Sequence, residues 1–581
     1  MKILTLHCDY IRYQALKKAV KDAEELQDQN VHEIKEPLVV LTSIEQGDNE
    51  ETIKQLVAAV EKTASEVKAQ NIVLYPYAHL SSNLAKASEA LSLLKEAEVQ
   101  LKKKFKNVDR APFGYYKSFE FKCKGHPLAE LSKEFKATEG NSILKKGQSK
   151  GEQEINHEEI AQLVKKLSKV NMQAGRGKND LKSNVELGRD LDLYIVNEVV
   201  GQGLPLLTPR GATIKREIER FAVDEELKRG YLHTSTPVMA KSDLYKVSGH
   251  WQHYQDSMFC IQSGDDTLAL RPMTCPFHFI LYKSKPRSYK DLPLKYAEIA
   301  SLFRNEQSGE LRGLTRVRQF TLADAHIICR KDQIEKQFEE VLDLLKCSMK
   351  KLGIKDIWYR FSKWDPKDKK KYIDNPKAWE ESQSLMKKIL DKLKVKYVEK
   401  EGEAAFYGPK LDLQYTDVYG KEDTLLTIQI DFALPERYDM TYTDENGKEV
   451  RPMVIHRSST GATERVMAYI LEKTQGALPL WMSPTQVRVI SFTDRNDKAT
   501  EKFAEELKEA IPKLRVDTDI RTDTVQSKIR DAEMLKINYI LVIGDKEEEN
   551  KTVAARPRGG KPKFGIKKDD FIKDIKKELD F

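Results

Sequence analysis

Two hydrophobic rhythms alternate along this chain, one of period two and one of helical period, and they divide it into segments. In residues 1–138, Ile3 to Leu6, Leu38 to Ile44 and Ile72 to Tyr75 read as strands, and residues 51–69 as an amphipathic helix. A hydrophilic stretch, ATEGNSILKKGQSKGEQEINHEE, reads as a linker from its Gly, Ser, Lys and Glu content. IAQLVKKLSKV then resumes helical spacing and predicts a short helix lying on a neighbour, so residues 139–183 form a linker with one helix. The body spans 184–480. From 481 to 581, QVRVISF, RVDTDI, NYILVIG and KTVAARPRGGK alternate with charged helical runs, which predicts a small α/β domain with a mainly parallel sheet.

Within the body, YAEIASLFRNEQSGELRGLTRVRQFTLADAHII reads as strand, polar turn, strand. If the second strand is regular, its period of two aligns Arg316, Arg318, Phe320, Leu322, Asp324 and His326 on one face. A solvated outer face is the plain alternative, but two cations, an aromatic, a carboxylate and an imidazole in one row make a reactive surface. A hairpin would also set Arg304 and Glu306 beside the base of that strand.

Length changes the picture by requiring several cores: 581 residues predict three or four domains, and an apolar fraction of 40% can fill them. No early apolar run is long enough for a signal peptide or a membrane span, which predicts a soluble, cytoplasmic protein with no membrane partner. Six cysteines without regular spacing predict reduced thiols rather than a disulfide framework. The net charge of +8 is compatible with a polyanionic partner without identifying one.

The hairpin closely resembles motif 2 of class II aminoacyl-tRNA synthetases. Two further segments resemble the remaining motifs of that class in the same order. TIKREIERFAVDEELKRG leading into YLHTSTPVM is similar to motif 1, a helix and strand ending at Pro237, and Gly461-Ala-Thr-Glu-Arg465 before VMAYIL is similar to motif 3. The resemblance implies an antiparallel-sheet catalytic core, a homodimer through motif 1, and ATP bound with Mg²⁺. Arg304 would grip the α-phosphate, Phe320 stack on adenine and Arg465 bind the γ-phosphate, with Glu306 and Arg316 also in the ATP site. The segment after 481 resembles the anticodon-binding domain of class IIa synthetases.

Cys275, His326 and His456 are separated by 51 and 130 residues, so spacing alone gives no metal site. Their positions relative to the motifs resemble the zinc ligands of threonyl-tRNA synthetases, which implies one Zn²⁺ per catalytic domain. A site of one thiolate and two imidazoles keeps an open position for the amine and hydroxyl of threonine. The same resemblance makes Asp324, Tyr407 and Gln429 threonine-binding and Lys410 and His250 catalytic, His250 helping to deprotonate the tRNA ribose hydroxyl. It departs from the family at Leu322, where many members carry Gln.

The implied reaction is attack of the threonine carboxylate on the ATP α-phosphorus, giving threonyl-adenylate and pyrophosphate, then transfer of the threonyl group to the terminal adenosine of tRNA(Thr) with release of AMP. Serine presents the same amine and hydroxyl, and one missing methyl is worth only about 1–3 kcal/mol, so a second, hydrolytic site is expected. Tyr75-Pro-Tyr-Ala-His79-Leu-Ser-Ser, Phe113-Gly-Tyr-Tyr-Lys117 and Cys123-Lys-Gly-His126-Pro-Leu-Ala-Glu130 resemble the archaeal-type editing domain, related in fold to D-aminoacyl-tRNA deacylases. This implies that His79, Lys117 and Glu130 line a pocket hydrolysing Ser-tRNA(Thr). In the last domain Glu547 and Arg556 match anticodon-reading positions at adjacent strand ends, while Thr522 stands where the family usually has Asn. Lys102 to Lys106 and Arg110 read as a solvated face, with tRNA phosphate contact as the alternative. A synthetase for serine or proline, or an RNA-binding paralogue without catalysis, are the competing readings; the Cys-His-His set and the intact motif residues argue against both.

Overall fold

The computed structural model describes residues 1–135 and 157–579, except 21, 22, 27, 29, 82, 127, 171, 173–179 and 370. The hydrophilic stretch read as a linker lies outside them as far as residue 156. The chain divides into two compact units, Met1–Ser149 and Lys150–Phe581.

The first unit is built on one long strand. β1 (Lys2–Lys18) is followed by β2 (His32–Lys35), β3 (Pro37–Ser43), α1 (Glu50–Val67), β4 (Asn71–Pro76), α2 (Ala87–Lys102), β5 (Asn107–Arg110), β6 (Tyr115–Cys123) and β7 (Glu130–Glu134). The start of β1 pairs with β3 and β7, and its later residues pair with β2 and β6. Asn49 caps α1 by accepting from the Glu51 and Thr52 amides. Successive residues of β3 serve opposite cores: Leu38 and Val40 pack beneath α1 and α2, whereas Val39 and Leu41 join Leu6, Cys8, Tyr13 and Tyr75 on the other face.

In the second unit, α3 (His157–Leu167) forms where helical spacing predicts it. Its apolar residues do not lie on a neighbour: Ile160, Leu163, Val164 and Leu167 are exposed. The segment is held by its last carbonyls instead, since Asn197 Nδ2 donates to Lys166 O, Leu167 O and Lys169 O. The body continues with α4 (Pro209–Lys228), β8 (Leu232–His233), α5 (Cys275–Lys283), β9 (Leu294–Phe303), β10 (Gln319–Cys329) and α6 (Ile334–Leu352). It is completed by β11 (Trp358–Ser362), β12 (Tyr397–Lys400), β13 (Lys410–Thr416), β14 (Glu422–Asp431), β15 (Met453–Ala462) and α7 (Thr463–Thr474).

These strands form one eight-stranded sheet in the order β8-β9-β10-β15-β14-β13-β11-β12. The six central strands pair antiparallel, and only the short outer strands β8 and β12 pair parallel. Period two again splits the faces. Ala325, Ile327, Ile428, Ile430 and Ile455 pack against the apolar stripes of α6 and α7, leaving the intervening residues for the opposite face, where Cys275 and Phe279 of α5 join Ile328 and Val454.

The last segment folds as β16 (Val487–Ser491), β17 (Val516–Asp519), β18 (Tyr539–Ile543), α8 (Asp545–Asn550), β19 (Thr552–Pro557) and β20 (Lys563–Lys567). Only β17, β16 and β18 are parallel; β18-β19-β20 is antiparallel, so the sheet is mixed rather than mainly parallel. The reason is length: the link carrying α8 falls short of the dozen or so residues that a parallel crossover needs.

Candidate functional site

The site arises from sheet register. Antiparallel pairing aligns Tyr296 with His326, His326 with His456, His456 with Gln429, and Gln429 with Lys410. Residues directly opposite one another project from the same face, so four side chains from distant parts of the sequence stand in one row across β10, β15, β14 and β13. Asp324, two residues before His326, shares that face and is buried. Tyr407 stacks on His456 with ring centroids 4.9 Å apart, and its hydroxyl donates to Gln429 Oε1. Lys410 Nζ lies 3.0 Å from the buried Asp412 carboxylate. His250, buried beside Phe406 and Tyr407, has Nδ1 2.7 Å from Ser248 Oγ.

Cys275 opens α5 above this row. Ligand atoms of Cys275, His326 and His456 lie within 4.8 Å of one another, all three residues buried. His456 Nε2 is 2.7 Å from Asp431 Oδ2, and Asp431 is itself fixed by the amides of Ala433 and Leu434 at 2.8 and 2.9 Å. His326 Nδ1 is 2.7 Å from His278 Nδ1. One nitrogen of each imidazole is thus tied, leaving the other for a cation, an arrangement typical of metal-binding histidines. Burial, with the fields of Asp324 and Asp431, pushes the Cys275 thiol well up, and burial, with His456 and His278, pushes His326 well down. A thiol and two imidazoles crowded together in a buried site suit a divalent cation, which would displace the thiol proton. Asp324 is also raised by burial, against the opposing fields of His278 and His456.

The candidate nucleotide end lies at the mouth of the β9–β10 hairpin. The row read from the sequence is shorter than expected: β10 begins at Gln319, so Arg316 and Arg318 precede it. Arg316 bridges to Arg312 within the turn and Arg318 Nε donates to Glu306 O, while the Arg318 amide donates to Gly203 O of a distant loop and its carbonyl accepts from the Arg304 amide at the mouth of the hairpin. Arg316 Nε meets Glu306 Oε2 at 3.0 Å, and the Arg304 guanidinium sits 5.1 Å over the Phe320 ring. Arg465 donates to Thr315 O at 3.1 Å and Thr424 O at 2.8 Å, while its neighbour Glu464 accepts the Thr321 amide at 2.7 Å. Gly461 makes the turn into α7 possible: its φ is +78°, and a Cβ there would come within 2.5 Å of Leu425 O.

In the first unit, Lys117 Nζ donates to Pro112 O at 2.8 Å and lies 5.0 Å over the Tyr75 ring. Burial lowers its pKa to about 8. Tyr75 contacts Tyr77, and Tyr77 contacts His79, so Lys117 and His79 share one aromatic patch. Glu130 stands apart, opposite Leu6 on β7, where its field raises the Cys123 thiol after burial has done so. Arg110 is not part of a solvated face: it pairs with Glu24 at 2.7 Å and Glu98 at 2.6 Å and is 11% exposed. Lys102 and Lys104 pair with Glu98 and Glu61 at the surface.

Glu547 and Arg556 are not at adjacent strand ends. Glu547 lies past the C-terminal end of β18, accepting the Gly544 amide at 3.2 Å, whereas Arg556 faces Ile540 near the start of β18 and pairs with Glu533 at 3.3 Å. Thr522 is exposed in the loop after β17.

Sequence reasoning missed Asp431, His278, Glu226 and Arg457. Asp431 is two residues from Gln429 on one strand, and His278 three from Cys275 on one helix, so periodicity carried a signal for both.

Residues 1–135 match the archaea-specific editing domain of threonyl-tRNA synthetase, 254–474 the class II tRNA synthetase core domain (G, H, P, S and T), and 486–578 an anticodon-binding domain. A threonine–tRNA ligase of Clostridium botulinum (strain Eklund 17B / Type B) is 51% identical over 398 residues, 68% of this chain and 62% of that one. The chain therefore spans under two thirds of the length of this curated relative. Among solved structures, the RNA binding domain of threonyl-tRNA synthetase from Cryptosporidium parvum Iowa II is 33% identical with a TM-score of 0.65, covering 68% of this chain and 98% of that one. The putative threonyl-tRNA synthetase ThrRS-1 from Aeropyrum pernix is 27% identical with a TM-score of 0.60, covering 69% and 96%. The chain belongs to the threonyl-tRNA synthetase family, with an archaeal-type editing domain, a class II core and an anticodon-binding domain.

Proposed function

We propose that the chain is a cytoplasmic threonine–tRNA ligase: it activates L-threonine with ATP and Mg²⁺, transfers it to tRNA(Thr), and hydrolyses Ser-tRNA(Thr) in its first unit. The observation that carries this reading is the cross-strand row, which sets Cys275, His326 and His456 beside Asp324, Gln429, Tyr407 and Lys410. We take the cation to be zinc, which favours a mixed sulfur and nitrogen set; bound there, it would supply a Lewis-acid position for the amine and hydroxyl of the amino acid.

The chain's own residues do the rest. Asp324 is placed on the row's face to accept the substrate hydroxyl's hydrogen bond. Gln429 and Tyr407, already joined, orient the substrate. Arg304 and Arg465 neutralise the α- and γ-phosphates, Glu306 and Arg316 hold the nucleotide, and Lys410 faces the developing charge; positioning and charge neutralisation then suffice without a protein nucleophile. His250 beside Tyr407 receives the proton of the tRNA ribose hydroxyl. Glu547 and Arg556 contact the anticodon. A homodimer through α4 and the segment after it is supported by the exposed apolar side chains of Leu227, Leu232, Val238 and Met239.

ATP–pyrophosphate exchange tests the synthetic reading. Threonine should give strong exchange and serine less. Valine should be rejected by roughly 10⁴-fold, because it leaves buried polar partners of the hydroxyl unpaired. No exchange with any of the three would overturn the assignment.

In the first unit, Lys117, aided by His79 in the same aromatic patch, positions the hydrolytic water, and Glu130, which stands apart on β7, takes no part in that step. The Lys117 amine, lowered to about 8 by burial, changes protonation within an accessible range. The pH profile of Ser-tRNA(Thr) hydrolysis should therefore inflect near that value, and Lys117→Ala should lose both the inflection and most of the rate. Hydrolysis at the wild-type rate in that variant would remove Lys117 from the role.

A further inference from the structure

Behind His326 lies a chain of polar contacts that no role assigned so far uses. His278 is fully buried on α5, three residues after Cys275. Its Nδ1 lies 2.7 Å from His326 Nδ1, and its Nε2 lies 3.0 Å from Thr234 Oγ1 and 3.7 Å from Glu298 Oε2. Thr234 Oγ1 is 3.3 Å from Ala297 O and 3.4 Å from Glu298 Oε2. Glu298, 4% exposed, meets Arg271 Nη1 at 2.8 Å through Oε1 and accepts from Thr236 Oγ1 at 2.8 Å through Oε2.

The direction of this chain follows from its fixed end. Glu298, paired with the Arg271 guanidinium, is a carboxylate and accepts only. Burial opposes that charge, but His278, Thr236 and Arg271 hold the carboxyl below its ordinary range. Two imidazole nitrogens 2.7 Å apart need one proton between them. If His278 Nδ1 carried it, His278 Nε2 would be bare and would face the Glu298 anion, while the single proton of His326 would sit on Nε2 and block that atom as a ligand. If His326 Nδ1 carries it, His278 Nε2 carries the other proton toward Thr234 and Glu298, and His326 Nε2 is left bare. The second arrangement satisfies every donor and places positive hydrogen, not a lone pair, toward the carboxylate.

We propose that His278 is a positioning residue that accepts from His326 Nδ1 and so fixes the tautomer and orientation in which His326 binds the cation, with Thr234 and Glu298 setting the proton on its far nitrogen. The proposal rests on the reading that Cys275, His326 and His456 hold a divalent metal. It gives the two imidazoles different supports: His456 is braced by the Asp431 carboxylate and His326 by a neutral ring. Partners of this kind change metal affinity when removed.

The test is Zn²⁺ affinity of the full chain, measured by competition with a chromophoric chelator, alongside thermal unfolding of the metal-free proteins. His278→Leu keeps bulk without an acceptor and should weaken Zn²⁺ binding by roughly 10- to 100-fold. His278→Asn, whose Oδ1 stands where Nδ1 was, should recover most of that loss. Thr234→Val leaves the histidine in place, keeps the test open if the leucine variant does not fold, and should weaken binding several-fold. Wild-type affinity in His278→Leu or Thr234→Val, or no recovery in His278→Asn, would overturn the proposal. Failure of the underlying metal reading looks different: wild-type protein would not bind, or Cys275→Ser would bind as well as wild type.

Discussion

Cys275→Ser should reduce threonine-dependent pyrophosphate exchange by roughly 10²- to 10³-fold, the loss expected when a preorganised electrostatic group is taken from a transition state. Serine nearly matches cysteine in shape, but its hydroxyl stays protonated at neutral pH and is a poor ligand for zinc. Cys275 sits at the start of α5, 3% exposed and packed with Phe279, Ile328 and Val454, so exchanging sulfur for oxygen leaves the surrounding core nearly intact. The deficit should appear as lost bound zinc at an unchanged melting temperature of the metal-free protein. Exchange within a few-fold of wild type, with zinc absent, would show that the thiol is a packing residue only.

The second large effect lies on β15, on the face opposite His456. Arg457 and Glu226 are wholly buried, with Nη1 and Oε1 2.6 Å apart, and Ser459 Oγ donates to the same carboxylate oxygen at 2.6 Å. The guanidinium also lies 4.1 Å over the Tyr231 ring. This pair ties α4 to β15, whose other face carries His456. Arg457→Met strands a buried carboxylate and should cost about 3–5 kcal/mol, whereas Glu226→Leu combined with Arg457→Met should recover much of it, because two charges are then absent together. Urea unfolding followed by tryptophan fluorescence reads this unit selectively: all five tryptophans, at 251, 358, 364, 379 and 481, lie in it. A double variant as unstable as the single one would show that the pair is worth more than its replacement. Burial raises the Glu226 carboxyl, but Arg457, His233 and Ser459 hold it below its ordinary range, so its contribution is complete at neutral pH and fades only as pH falls through that lowered value.

The expected exposure of Arg110 and the expected neighbours Glu547 and Arg556 show where reading along the chain runs out. A basic residue after a lysine cluster looks solvated until the fold supplies Glu24 and Glu98, one of them 86 residues away. Loop charges near strand ends look adjacent until strand direction is known, and the antiparallel return of β19 puts Arg556 at the other end of β18.

What the sequence determined by itself is what short-range geometry controls. Side-chain alternation identified β3, β4 and β10 as strands and helical period identified α1 and α3, whereas the antiparallel core was implied only by the resemblance of three segments to the class II synthetase motifs. What only the tertiary structure decided is pairing. His326 and His456 meet because β10 and β15 lie side by side in a register that aligns them, and Glu226 meets Arg457 across 231 residues of chain. Backbone sterics fix the period of an element within a few residues, whereas register and burial depend on closing long loops around a shared core. No local pattern encodes that closure, and in this protein it determines which donors become a metal site and which charges become a brace.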